Sequence, residues 1–185
     1  MDRANAEQLI GAVEEQRMRA RKVVGAYWFP MVLFGCIALV AAITLELGAP
    51  ERILALWIVA APAGIVATSI YYGLRTHRIG LSAPALPFIL TGLGIALGAS
   101  FLGWLGRDSA IGYAGPILVI GAGYLVFAWL ERSLLAGAFA VALVVAAICL
   151  FLFHPPHAFS LGMAFFGLGS LLVGGWNLKQ GATAG

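Results

Sequence analysis

Charge is what this chain lacks most. Only 10% of its 185 residues are Asp, Glu, Lys or Arg, against 62% hydrophobic, and its mean hydropathy is +0.97. Soluble domains carry about 25% charged residues, because a surface much poorer in charge does not stay in water. A soluble globular protein is therefore excluded, and lipid becomes the solvent. Cysteine is almost absent too. Cys36 and Cys149 each lie inside an apolar run, which excludes a disulfide framework and a Cys-rich zinc site. A net charge of +3 is small, and its placement needs no polyanionic partner, so no nucleic acid is implied.

Ionisable groups are missing from the middle of every apolar run. Such groups inside a membrane mark proton relays and charge-compensated ion sites, so a proton-coupled pump or an anion transporter is disfavoured. Glu46 comes nearest, at the end of the first run, with Glu51 and Arg52 just beyond. Catalytic signatures are missing as well. There is no HExxH, no GxSxG, no Gly-rich nucleotide loop and no aspartate cluster. The chain therefore leans away from an enzyme without deciding the question, and no cofactor is called for.

What is there is apolar length. About 20 apolar residues rising 1.5 Å each cross a hydrocarbon core of roughly 30 Å. Six such windows fit, over Ala26–Leu47, Ile53–Leu74, Ala85–Gly106, Ile111–Leu130, Leu134–Phe153 and Phe159–Leu178. Unpaired backbone groups are costly in lipid, so these segments must be helices or a closed barrel, and continuous runs without alternation exclude the barrel. The expected fold is an all-α integral membrane protein, a six-transmembrane-helix bundle over residues 24–179. It is preceded by a cytoplasmic juxtamembrane helix over 1–23 and followed by a short tail over 180–185.

Orientation follows from basic residues in the short connections. With the N-terminus in the cytoplasm, the inner side receives Arg3, Arg17, Arg19, Arg21, Lys22, Arg75, Arg78, Arg132 and Lys179, and the outer side only Arg52 and Arg107. Aromatic residues agree: Trp28, Tyr71, Tyr72, Trp129 and Trp176 fall at the inner boundary, and Trp57, Trp104 and Tyr113 near the outer one. Both termini are expected in the cytoplasm, in the plasma or inner membrane. The charged N-terminal segment and long first run do not fit a signal peptide, so the first span is expected to stay as an anchor.

Residues 2–22 read as an amphipathic helix, with Leu9, Ile10 and Val13 on a narrow apolar face that Arg17 interrupts. Such a helix can lie on anionic lipid or dock a soluble cytoplasmic protein. Within the spans, small residues recur at intervals of three and four. Gly92, Ala96, Ala99, Gly103 and Gly106 form one line in the third span. Ala60, Gly64, Ala67 and Tyr71 form another in the second, and Ser160, Met163, Gly167, Ser170 and Gly174 a third in the sixth. Small side chains let helix backbones approach closely, so these three spans are expected inside the bundle, with a homo-oligomeric contact through the third as the alternative.

Polar groups at membrane depth are neutral. Pro62 sits mid-span, where it removes a helix hydrogen bond and can mark a hinge. Thr68, Ser69, Thr91, Tyr124 and Ser170 either converge on a weakly polar ligand pocket or each bond within their own helix. His154 and His157, in a His-Pro-Pro-His turn, are weak metal candidates together with Asp108, Glu46 or Glu51.

Two functions fit. The first is a membrane transport component for a neutral or amphiphilic small molecule. A surface helix followed by six spans resembles in layout the permease subunits of ATP-driven exporters, and the chain carries no nucleotide site, so an ATPase would be a separate polypeptide. The alternative is a non-transporting scaffold or sensor that holds a soluble partner through residues 2–22.

Overall fold

The computed structural model describes residues 28–48, 51–79, 85–106, 109–131 and 133–183, together with Gly11. The regular elements are helices: α1 (Trp28–Glu46), α2 (Glu51–Ile79), α3 (Ala85–Leu105), α4 (Ala110–Glu131), α5 (Leu134–Phe153) and α6 (Ala158–Thr183). Four of them are long and apolar enough to cross a membrane: α1 over 19 residues, Ala110–Leu130 of α4 over 21, α5 over 20 and Ala158–Lys179 of α6 over 22. In α2 and α3 the described apolar stretches, Val59–Leu74 and Ile89–Leu105, are shorter. The chain is an all-α, multi-pass membrane protein. Of the N-terminal segment only Gly11 is described, so Leu9, Ile10, Val13 and Arg17 lie outside the described residues.

Local chemistry sets the helix ends. α1 stops where Gly48 takes φ +73°, the left-handed conformation that releases a chain from a helix at little steric cost, and its N–H donates to the Leu45 carbonyl at 3.0 Å. Between α3 and α4 the chain turns within a few residues. There Ser109 N–H donates to the Gly106 carbonyl at 2.7 Å, and a methyl group on Gly106 would stand 2.5 Å from the amide nitrogen of Gly112. Ser133 caps α5, its hydroxyl accepting from the Ala136 N–H at 3.3 Å. His154 ends α5 in the left-handed region, with φ 45° and ψ 49°.

Packing makes a centre and an edge. The most extensive pairings join α1 to α6 and α4 to α5; α6 also touches α4 and α5, while α3 lies on α4 and α2 on α1. The α1–α6 pair is antiparallel: Gly174 lies under the Trp28 carbonyl, Gly167 opposite Gly35, and Ser160 beside Glu46. The start of α1 and the end of α6 therefore share one end of the bundle. Where the small-residue lines predict α2, α3 and α6 inside, α6 is central while α2 and α3 each rest chiefly on one neighbour. Spacing marks which face of a helix can approach another closely, not how many neighbours it will have.

The core is built from small and aromatic side chains in turn. Ala38, Ala41, Ala140, Ile117, Leu143 and Met163 are fully or almost fully buried. Over them, Tyr124 of α4, Phe139 of α5 and Phe166 of α6 form one aromatic cluster: Tyr124 meets both phenylalanines edge-on at 5.8 Å, and those two rings stack at 6.5 Å. Such pairs contribute about 0.5–1.5 kcal/mol each beyond area.

Candidate functional site

The small residues of α6 show how tightly two helices can meet. A methyl added at Gly167 would lie 2.9 Å from the Gly35 carbonyl oxygen and 2.7 Å from Leu39 Cγ. One added at Gly35 would lie 3.0 Å from the Gly167 oxygen and 3.1 Å from Ser170 Cβ. Two turns further on, Gly174 faces the Trp28 carbonyl and Val32. Gly64 of α2 is buried under the Phe34 ring and Ile37 of α1. On α3, Gly103 faces Pro116 at 3.5 Å, Ala96 and Ala99 are half-buried, and Gly92 has no neighbour within 4 Å. Gly35 is absent from the three small-residue lines read in the sequence. Its signal was present, since the buried residues Met31, Gly35, Ala38 and Ala42 of α1 follow intervals of four, three and four.

The hydroxyl residues divide into two groups. Ser69 donates to the Ile65 carbonyl of its own helix at 2.8 Å, and Thr44 of α1 does the same to Val40 at 2.7 Å. Neither needs a further partner. Thr68 Oγ1 and Ser170 Oγ, by contrast, are buried with no hydrogen-bond partner, and Ser170 has no exposed surface at all. Leaving a hydroxyl buried and unpaired costs about 1–3 kcal/mol. Tyr124 lies in the aromatic cluster of α4, α5 and α6, whereas Thr91 is half-buried on α3. Pro62 is exposed on α2, and the helix continues through it. The hydroxyls of Thr68 and Ser69 do not serve the carbonyl that Pro62 leaves without its helical donor.

At the opposite end of the α1–α6 pair lies a charged cluster. The Ser160 hydroxyl donates to Glu46 Oε1, and the same oxygen stands 3.2 Å from His157 Nδ1. Ser160 Oγ is also 3.0 Å from the His157 carbonyl, but one hydroxyl proton serves one acceptor at a time, and the carboxylate is the stronger. Glu46 thus ends α1 on the first turn of α6, where backbone N–H groups favour a negative charge. Ser160 is buried, while the His157 and Glu46 side chains are 68% and 49% exposed. The three residues are brought together across 114 positions of chain, a link that no local spacing encodes.

His154 lies in the same turn, edge-on to Tyr113 at 6.3 Å and beside Phe151 at 6.1 Å. Asp108 is outside the described residues, as is the side chain of Glu51. Among the described residues, no three His, Cys, Asp or Glu side chains gather in one place.

Compared with protein-family models, curated proteins and solved structures, the chain matches none of them. Its class is therefore defined by its own helices and their apolar lengths, as a multi-pass, all-α membrane protein.

Proposed function

We propose that this protein is a six-span bundle of the plasma or inner membrane, with both termini in the cytoplasm, that serves as a transport component for a neutral or amphiphilic small molecule. Nine basic residues against two support the orientation, together with the shared end of the bundle at which α1 begins and α6 finishes. One observation carries the transport reading: Thr68 and Ser170 each keep a hydroxyl buried and unpaired inside an apolar bundle. A buried polar atom without a partner calls for an explanation, and a cargo with a hydrogen-bonding group supplies one. The loose edge agrees with it. α2, which carries Pro62 within it, is held chiefly by α1, so it can shift without breaking the central packing. Any nucleotide-driven step would belong to a separate ATPase.

Mass spectrometry of the native detergent extract tests this. The expected result is a small molecule bound at about one copy per chain and lost in Thr68→Val and Ser170→Ala. An extract without such a molecule, from chains whose two variants are both more stable than the parent, would remove the reading. The alternative, a scaffold or sensor, rests on the amphipathic pattern of residues 2–22. It requires that deleting this segment release a co-purifying soluble protein while the bundle stays folded.

A further inference from the structure

We infer that the inner half of α2 is a lateral gate, hinged at Pro62 and latched by the rings of Trp28, Phe29 and Tyr71, which opens between α1 and α2 to admit an amphiphile to the Thr68 hydroxyl. It rests on the transport reading of Thr68 and adds the way in.

The two halves of α2 are held differently. Before the proline, Trp57 packs against the buried core of the bundle. After it, Gly64 lies under Phe34 and Ile37 of α1, and it alone is buried among the described residues of α2. Gly64 stands two residues past Pro62, close to the pivot, where a swing of the helix displaces it least. The proline removes one helical hydrogen bond, so the helix bends there at less cost than elsewhere. Val66, Ile70 and Leu74 are exposed, so no neighbouring helix holds that side.

Beyond the pivot, rings join α2 to α1. Tyr71 stacks on Phe29 at 4.4 Å and meets Trp28 edge-on at 5.8 Å, while Trp28 and Phe29 meet each other at 5.7 Å. Tyr72 closes on Tyr71 edge-on at 5.4 Å. Such contacts are short-ranged and can part and re-form as units.

Thr68 lies behind this latch. Gly64, Thr68 and Tyr71 follow helical intervals of four and three, so they share the face of α2 turned to α1. With the rings together, Thr68 Oγ1 is buried and unpaired. Because α2 stands at the edge of the bundle, swinging its inner half away from α1 opens that hydroxyl sideways to the inner leaflet. An amphiphile with a hydrogen-bonding head suits this route, since its head reaches Thr68 while its chain stays in lipid.

The test is electron–electron double resonance between spin labels at Gly73→Cys and Gly175→Cys, in full-length protein in lipid nanodiscs without added cargo. A side chain at either glycine enters open space, and both stand at the end of the bundle where Tyr71 and Gly174 meet Trp28. The native cysteines are exposed, so Cys36→Ala and Cys149→Ala clear the background without disturbing the core. The expected result is one dominant short distance and a minor longer one, whose ratio to the first rises about tenfold in Tyr71→Ala. Tyr71→Phe keeps the rings together and should match the parent. Adding Pro62→Ala to Tyr71→Ala should remove the longer distance, which it would not do if the helix end had merely frayed. A distribution unchanged in Tyr71→Ala, or a long distance that Pro62→Ala leaves in place, would overturn the gate. The labels report motion without cargo, so the gate fails on these distances alone, whereas the transport reading fails on a native extract that holds no small molecule.

Discussion

α6 and α3 carry the same sequence signal and meet different fates. Each has small residues at intervals of three and four. On α6 that line is filled by the backbone of α1, so that Gly167 and Gly35 leave no room for a methyl group. On α3 the line is only partly used. At Gly103 an added methyl would lie 3.5 Å from Pro116 of α4, while one added at Gly92 would meet nothing within 4 Å. The difference teaches that glycine spacing states a capacity for close approach, and that a neighbour must still be supplied by the rest of the fold.

Substitutions break or sharpen that contrast. The largest effect is expected at Gly167. Gly167→Ala places a methyl against a backbone oxygen that cannot rotate away, so α1 must move, and overpacking of this kind costs about 1–3 kcal/mol. Unfolding in dodecyl maltoside with rising SDS would measure it, and an unchanged midpoint would show that the α1–α6 seam is looser than described.

Next comes Glu46→Ala, which leaves the buried Ser160 hydroxyl without its carboxylate. Exposure of Glu46 to solvent limits the loss to about 1 kcal/mol in the same assay. A greater loss would make this clasp, rather than the glycine seam, the main fastening of α1 to α6.

Ser170→Ala removes a hydroxyl that has no partner and changes little volume. In cargo-free protein, stability should hold or rise by up to about 1 kcal/mol. A fall of that size would instead reveal a partner for the hydroxyl, as bound cargo would be. The smallest effect is expected at Gly92, where Gly92→Ala meets open space and should stay within about 0.5 kcal/mol of the parent. If Gly92→Leu were as damaging as Gly167→Ala and also changed the mass of the native particle, a second copy of the chain would be packing on α3.

Much of this was legible in the sequence because the bilayer imposes a simple rule. Twenty apolar residues must close their own hydrogen bonds, and the six apolar windows lie within a few residues of α1 to α6. The Gly48 and His-Pro-Pro-His connections were equally plain, since turn residues are local. The candidate site was less so. Thr68 and Ser69 are adjacent and chemically alike, yet Ser69 bonds its own helix and Thr68 bonds nothing, a difference set by what lies beside each rotamer. Ser160 read as one more small residue of a packing line until Glu46 stood opposite it.

The amino-acid sequence by itself determined the solvent, the helices and their approximate ends, because these depend on the composition of short stretches of chain. Only the tertiary structure decided that α6 is central and α2 and α3 marginal. It alone also decided that Gly35 meets Gly167, and that one carboxylate joins the end of the first helix to the start of the last. The last two depend on pairings more than a hundred residues apart, where each helix face has several compatible neighbours and the packing of the whole bundle selects among them.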